Sequence, residues 1–349
     1  MKILYLGDDH GTSRHRADAL RRIGHDVHVV DPATTLPGGA RVKQLVKETG
    51  GLVTQEFVAR RILDRIEGSQ YDLTWVNGGH LVGAGLVRTL RRFGPVVNYN
   101  NDDPLGGRDR RVWTAYKRAI PEYDLHIVMR ALNVPEMHAA GAKSVLRVFM
   151  SADEAVHAPR EATVPDTERW SADVLFVGTW MEDRGAFMAE LIRRGVPLTI
   201  RGARWDHAPE WPRIKSAWKG PGLSDPSEYT LAIQCSKVSL GLLSKGNRDR
   251  HTQRSMEIPY AGGVLCAERT DEHKELYDEG HEALFWSDAD ECARVCHQLL
   301  ESPELRIAIS RAGRLRCIAN GHLNERVVSR AVGEAIKIRS GADRIAVAT

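Results

Sequence analysis

Two stretches of this chain open in the same way, and that repeat constrains the fold more than any other feature. The apolar run ILYLG ends at Gly7, and the run VLFVG ends at Gly178. A stretch with a helical pattern follows each run, and a second glycine stands 17 residues after the first, at Gly24 and Gly195. Short continuous apolar runs are typical of strands buried on both faces of a parallel sheet. The later glycine suits the left-handed residue that ends a helix. The repeat therefore predicts two βαβ units, one at the start of each half.

The rest of the chain extends both halves into α/β domains. Further strands are predicted in YDLTWVNGG, GPVVNYNNDDP and YDLHIVM of the first half, and in KVSLGLL and GGVLCAE of the second. We predict two Rossmann-like domains, at 1–157 and 172–322, that face each other across a cleft. A polar, proline-containing linker is expected at 158–171, and segment 323–349 is expected to return to the first domain as a helix. In such sheets, ligands bind beyond the carboxyl ends of the strands.

Composition excludes several functional classes. The 349 residues carry a net charge of only +3 with no basic block, which argues against nucleic-acid binding. No apolar run reaches the length of about 18 residues that a membrane span needs, and the N-terminus lacks the apolar region of a signal peptide. Five cysteines without a C-x-x-C motif predict a cytoplasmic protein without a metal site. The glycine motifs of dinucleotide-binding and P-loop proteins are both absent.

The stretch HTQRSMEIPYAGG, residues 251–263, combines charged groups with a predicted helix start. A helix that begins near Thr252 would direct free N–H groups outward, which suits a phosphate. Arg250 and Arg254 can add charge-assisted hydrogen bonds. Glu257, one turn after Arg254, could then accept the hydroxyls of an attached sugar. A surface ion pair between Arg254 and Glu257 is the alternative, and residue chemistry alone does not decide between the two.

Longer stretches of the second half resemble GT-B glycosyltransferases of the spore-maturation (CgeB-like) type. The resemblance rests on DVLFVGTWMEDRGAFMAELIRRGVPLTIRGARW, SKVSLGLL, RSMEIPYAGGVLCAERTDEHKELYDEGHEALFW and GHLNERV. The first half is similar more loosely, through GTSRHRADALRRIGHDVHVVD, YNNDDP and YDLHIVM. The resemblance implies a GT-B fold and an enzyme of glycan biosynthesis that transfers a sugar from a nucleotide-diphosphate donor to an acceptor.

The resemblance also implies roles for single residues. Glu257 matches the family position that contacts the ribose, whereas Asp249, eight residues earlier, replaces the usual Glu and leaves the role of that acid open. The implied donor site comprises Gly178, Thr179, Arg184, Gly202, Lys245, Arg250, Arg254 and Glu257. The cationic side chains Arg184, Lys245 and Arg254 would neutralise the diphosphate, so that neither a metal ion nor another cofactor is expected.

An inverting transfer also needs a base for the acceptor hydroxyl, and the first half offers several. The candidates are Asp103 and Asp102 in NNDDP and His10 after the first strand, with His80 in NGGH ranked lower. Each has an ordinary structural interpretation, since Asp before Pro is typical of turns and helix caps. A retaining enzyme can dispense with a dedicated base, and the sequence does not decide the stereochemistry.

The sequence leaves the substrates open. The nucleotide could be UDP, GDP, CMP, dTDP or ADP, and the acceptor could be a glycan, a protein, a lipid-linked glycan or a metabolite. Two alternative functions also remain at this point. One is a nucleotide-sugar-binding protein without transfer activity, and the other is a GT-B-shaped sugar epimerase.

Overall fold

The structure, a computed structural model, describes residues 1–109, 111–223 and 225–347. Its internal contacts divide the chain into two units, each built on a parallel sheet. The first unit comprises Met1–Phe149, Lys245–Arg248 and Asn324–Thr349, and the second comprises Met150–Ser244 and Asp249–Leu323. The predicted α/β class is therefore confirmed in both halves.

The first unit contains a six-stranded parallel sheet in the order β2-β1-β3-β4-β5-β6. Its strands are β1 (Lys2–Leu6), β2 (Asp26–Val30), β3 (Leu73–Asn77), β4 (Val96–Asn100), β5 (Leu125–Val128) and β6 (Val145–Arg147). Its helices are α1 (Gly11–Arg22), α2 (Ala40–Thr49), α3 (Gln55–Arg65), α4 (Ala84–Leu90), α5 (Thr114–Ala119), α6 (Asn133–Ala139) and α15 (Asn324–Val347). The last four residues of β1 are fully buried, as expected for a strand covered on both faces.

The second unit contains a five-stranded parallel sheet in the order β11-β10-β9-β7-β8. Its strands are β7 (Ala172–Val177), β8 (Leu198–Arg201), β9 (Ser236–Gly241), β10 (Leu265–Glu268) and β11 (Leu284–Trp286). Its helices are α7 (Val164–Trp170), α8 (Glu182–Arg193), α9 (Trp211–Ile214), α10 (Pro226–Gln234), α11 (Arg254–Tyr260), α12 (Asp271–Leu276), α13 (Ala289–Glu301) and α14 (Pro303–Ala319). Among the helices of the described residues, none combines the length and the apolarity that a bilayer crossing requires.

The repeated glycines have the conformations that the repeat predicts. Helix α1 is followed by Gly24 at a φ of +90°, and helix α8 is followed by Gly195 at +76°. Only glycine adopts this left-handed region without strain, so both positions end their helices and turn the chain into the next strand.

The structure places a helix in the segment that the sequence analysis treats as a linker. Helix α7 lies within 158–171 and has a capping box, in which Thr163 and Asp166 satisfy each other's backbone N–H groups. Trp170 at its end is buried, and residues 150–171 belong to the second unit. Segment 324–347 forms α15, which packs against α1 in the first unit.

Candidate functional site

In the second unit, two of the predicted donor-site glycines meet at the carboxyl ends of β7 and β8. A Cβ atom on Gly202 would lie 1.9 Å from the carbonyl oxygen of Gly178, and Gly202 has a φ of +157°. The indole Nε1 of Trp205 donates to the same carbonyl oxygen over 2.9 Å. The ends of the two strands thus lie so close together that no side chain fits between them at Gly202. Packing alone therefore requires a glycine at this position.

This close approach predicts a stability defect. Gly202→Ala is expected to destabilise the protein by about 1–3 kcal/mol, because the added methyl group must displace backbone. Urea unfolding measures the change. Gly222→Ala is the matched control, since a Cβ at Gly222 meets nothing within 4 Å. Equal stability of the two variants would contradict the assignment.

Arg254 brings a cationic group to the same strand end. Its Nε donates to the carbonyl oxygen of Val177 over 2.6 Å, and its Nη2 lies 3.0 Å from where a Cβ of Gly178 would stand. Among the described residues, no carboxylate forms an ion pair with Arg254. The guanidinium therefore presents a positive charge at the end of β7 that no described residue balances.

Glu257 follows on the same helix and is buried, with 8% of its surface exposed. The hydroxyl of Tyr229 donates to Glu257 Oε2 over 2.7 Å, and His157 Nε2 lies 3.6 Å from Oε1. Because the backbone N–H of Asp153 donates to His157 Nδ1, the ring proton of a neutral His157 is on Nε2, facing Glu257. Burial, followed by the charge of Glu257, raises the pKa of Tyr229 well above its usual value. The surface ion pair with Arg254 is thus not what forms, and the carboxylate lies in a polar cluster.

Helix α11, which carries both residues, begins two residues later than expected. It starts at Arg254 rather than near Thr252, and it is only seven residues long. Its N-cap residue, Gln253, makes no side-chain capping hydrogen bond. The contribution to anion binding in this region therefore rests on the Arg254 side chain more than on the helix end.

Arg184 has different surroundings from those that the sequence implies. Its guanidinium is buried and donates to two backbone carbonyls, that of Thr179 over 2.7 Å and that of Leu243 over 2.9 Å. These hydrogen bonds join the loop after β7 to the chain after β9. Arg184 thus fixes the loop that contains Gly178 and Thr179, and at least two of its donors are committed to protein.

Two further predicted donor residues, Arg250 and Lys245, and the acid Asp249, whose role the sequence leaves open, have other surroundings. Arg250 is half exposed and faces Asp271 at 3.5 Å. Asp249 is buried, and its N–H donates to the carbonyl of Ser244. Lys245 is exposed and starts a 3-10 turn, Lys245–Asn247, that belongs to the first unit.

In the first unit, a cavity of about 550 Å³ opens at the carboxyl ends of β1, β3 and β4. Its lining includes two predicted base candidates, His10 and Asp102, together with His80. His10 is exposed at the N-cap position of α1 and makes no side-chain capping hydrogen bond. Asp102 accepts a hydrogen bond from the Asn247 side chain over 3.1 Å. Three polar groups that are far apart in the sequence thus share one cavity.

His80 has the features of a base. Burial lowers the pKa of His80 below its usual value of 6.5, and the carboxylates of Asp8 and Asp102 offset only part of that effect. Its ring stands edge-on to Trp113, with the centroids 6.1 Å apart. No described residue hydrogen bonds to either ring nitrogen. An imidazole whose lowered pKa favours the neutral form therefore lines the cavity, and His80 as the base stays a hypothesis.

Asp103 does not line this cavity, and its carboxylate is fully committed to other residues. Arg248 donates to it through Nε over 2.5 Å and through Nη2 over 2.9 Å, and Asn133 and the N–H of Gly106 add hydrogen bonds of 2.9 and 3.0 Å. Burial alone would raise the pKa of Asp103, but the hydrogen bonds from Arg248 and Asn133 lower it overall. A carboxylate held in this way is a poor proton acceptor, so the geometry assigns Asp103 to structure rather than to base catalysis.

Three thiols meet inside the second unit, and two of them, Cys292 and Cys296, are four residues apart on α13, where their spacing predicts a shared helix face. The sulfur atoms of Cys266, Cys292 and Cys296 lie within 4.8 Å of one another, and all three residues are fully buried. They belong to the apolar core around β7, β9 and α13, where a free thiol packs as a small hydrophobic group. The absence of a metal site stays a prediction.

Comparison with known proteins finds a similar family model for part of the chain and similar folds for nearly all of it. A family model described as glycosyl transferase-like matches residues 184–332. No curated protein sequence matches the chain. Sucrose-phosphate synthase from Thermosynechococcus elongatus is similar in structure, with a TM-score of 0.67 and 12% identity over 98% of this chain and 100% of that one. Anabaena HepE in complex with UDP-glucose is similar with a TM-score of 0.64 and 13% identity, over 97% of this chain and 99% of that one.

A glycosyltransferase from Rickettsia africae is also similar, with a TM-score of 0.60 and 11% identity over 97% of this chain and 98% of that one. Identities this low show the fold alone, and that fold is GT-B, as predicted. The family match on this fold confirms the prediction of a glycosyl-transfer enzyme. The more specific likeness to the CgeB-like type stays a prediction.

Proposed function

We propose that this chain transfers a sugar from a UDP-sugar to an acceptor, without a metal ion. The second unit would bind the donor, and the cavity of the first unit would bind the acceptor. HepE, which has the same fold, forms complexes with UDP and with UDP-glucose. That likeness favours UDP over the other nucleotides that the sequence leaves open.

One observation carries the donor site. The guanidinium of Arg254 lies beside the backbone of Gly178 with no carboxylate partner in the described part of the chain, and Glu257 follows one turn later on the same helix. Gly178 follows the buried strand β7, at the edge of the sheet where ligands of α/β proteins bind. An anion fits against Arg254 by charge, and a ribose hydroxyl can donate to Glu257 beside Tyr229. These contacts match the diphosphate and the ribose of one nucleotide.

The proposed reaction divides between the two units. The bond between the sugar anomeric carbon and the β-phosphate oxygen breaks, and its electron pair leaves with UDP. The acceptor oxygen forms the new bond to that carbon, and its proton passes to the neutral ring of His80 and then to solvent. Arg254 stabilises the charge that develops on the departing diphosphate, so a divalent cation is not needed for that task. Activity should therefore persist in EDTA.

Glu257→Ala tests the donor site. Hydrogen bonds to charged groups contribute about 1.5–3 kcal/mol, so UDP should bind the variant roughly 10- to 100-fold more weakly than wild type. Isothermal titration with UDP, GDP, CMP, dTDP and ADP measures this and identifies the base. Glu275→Ala, which removes an exposed carboxylate from α12, is the control and should bind like wild type. Binding of no nucleotide by wild type would contradict the proposed function.

A further inference from the structure

The cavity of the first unit contains a buried cation that the proposed reaction does not use. Arg16 lies on α1 with 3% of its surface exposed, and it lines the cavity. Its Nε donates to the side-chain oxygen of Asn77 over 2.9 Å, and its Nη2 reaches Thr12 Oγ1 at 3.4 Å. The guanidinium carbon lies 4.4 Å from the centre of the Tyr99 ring. These contacts hold the side chain in place without neutralising its charge.

The charge of Arg16 is not balanced by any of the residues that the structure describes. Among the described residues, no carboxylate forms an ion pair with it, and its hydrogen-bond partners are neutral. A buried charge without a counter-ion is expensive, and proteins keep such a group mainly where a ligand supplies the opposite charge. The cavity beside Arg16 is where that charge could be placed.

The first turn of α1 adds a second positive feature to the same cavity. Gly11, Thr12 and Ser13 all line it, and no described residue accepts a hydrogen bond from their backbone N–H groups. The side chain of His10 does not cap the helix. Helix α1, which has 12 residues, therefore begins in the space that Arg16 faces. Its N-terminus supplies free N–H donors and a partial positive charge there. Charge and hydrogen-bond donors both suit an anion.

The acidic groups of the cavity are placed differently. Asp109 pairs with Arg108 at 2.7 Å, and Asp102 accepts from Asn247 at 3.1 Å. Asp8 and Asp102 act on His80, whose pKa both of them raise. The cavity thus has cationic donors from α1, and it has a base after β3 that is influenced by one carboxylate after β1, Asp8, and one after β4, Asp102.

We propose that this cavity selects an acceptor with an anionic group, a phosphate or a carboxylate, which binds Arg16 and the first-turn N–H groups of α1. The proposal rests on the proposed function, because it names the class of acceptor for that transfer. The anionic group would lie at the start of α1, while the hydroxyl that receives the sugar lies near His80. A neutral sugar would leave Arg16 without a counter-ion and would bind weakly.

The test measures binding to the full chain with saturating UDP, so that the donor site is filled. Glucose 6-phosphate, inorganic phosphate, glucuronate and glucose are titrated by calorimetry. We expect glucose to bind at least roughly 10-fold more weakly than the anion that the cavity prefers. A preference for glucose 6-phosphate identifies a phosphate, and a preference for glucuronate identifies a carboxylate. Equal binding of all four probes, or binding of none, overturns the proposal.

Matched variants assign the binding to Arg16. Arg16→Gln should weaken anion binding roughly 10- to 100-fold, since a charged hydrogen bond is lost. Arg88→Gln removes an exposed arginine of the same unit, whose side chain is 60% exposed, and should bind as wild type does. If Arg16→Gln does not fold, Arg16→Lys takes its place, because it keeps the charge but loses the planar fork. Undiminished anion binding by the folded variant overturns the proposal.

Donor binding separates this proposal from the proposed function. UDP should bind Arg16→Gln and wild type equally, because Arg16 and the Arg254 cluster belong to different units. Normal UDP binding without anion selectivity would overturn only the assignment of the acceptor. Loss of both would count against the donor site as well.

Discussion

Replacing His80 with Gln is expected to lower kcat about 10²- to 10⁴-fold, the usual contribution of a general base. The imidazole faces the cavity of the first unit, its pKa is lowered by burial, and no described residue hydrogen bonds to its ring nitrogens. Steady-state transfer from UDP-glucose to the acceptor class identified above measures the loss. UDP binding, which the second unit provides, should be unchanged.

The pH dependence checks the same assignment. A base whose pKa is lowered stays deprotonated to lower pH. The midpoint of the acid limb of the kcat/KM profile should therefore lie below pH 6.5, the usual pKa of histidine. That limb should disappear in His80→Gln. His281→Gln, which removes a side chain that is 81% exposed, is the control for a general effect of losing histidine. A loss concentrated in His10→Gln would instead give the role to His10.

Replacing Asp103 with Ala is expected to destabilise the protein by about 3 kcal/mol. This is the low end of the range for breaking a buried ion pair, because Arg248 is 36% exposed and solvent screens part of its charge. The ion pair also holds a strained residue in place, since Arg248 has a φ of +55°, which residues other than glycine rarely adopt. Urea unfolding at neutral pH measures the change.

The direction of the pKa shift adds a second test of Asp103. Because the folded state lowers the pKa of Asp103 below 3.8, the Asp103 carboxylate stabilises the fold above that pH. This stabilisation is lost as pH falls through the lowered pKa. The difference in the free energy of unfolding between Asp103→Ala and wild type should therefore be constant near neutral pH and shrink in strong acid. Glu136→Gln alters the second, partly exposed partner of Arg248, and it should destabilise the protein less than Asp103→Ala does. Lost transfer activity in Asp103→Asn at unchanged stability would restore Asp103 as a base.

The fold was predictable because it depends on local patterns. The runs ILYLG and VLFVG are continuous and apolar, and the glycines at 24 and 195 end their helices as expected. The structure of 158–171 was harder to predict, because its polar composition with two prolines is typical of a linker although the segment contains helix α7. The spacing of Thr163 and Asp166, T-x-x-D, is that of the capping box which begins this helix, but the prediction of a linker rested on the polar composition and the two prolines alone.

The site was less predictable because it depends on contacts between distant segments. Glu257 could be found from RSME, but its partners Tyr229 and His157 come from segments with no motif of their own. Asp103 looked like a base because NNDDP ends a strand, and nothing in the sequence shows that Arg248, 145 residues later, occupies its carboxylate. Arg16 was hidden for a similar reason, since an arginine in an amphipathic helix is usually exposed.

The packing of α15 on α1 has a consequence for how this protein is made. The first unit needs a helix that begins at Asn324, where Glu325 also pairs with Arg22 over 2.5 Å. A ribosome must therefore translate the 174 residues from 150 to 323 before that helix exists. At about 5–20 residues per second, this leaves α1 uncovered for roughly ten to thirty-five seconds. The second unit would be the first to complete its fold on the ribosome, and a fragment that stops at residue 149 would leave uncovered the face of α1 on which α15 packs.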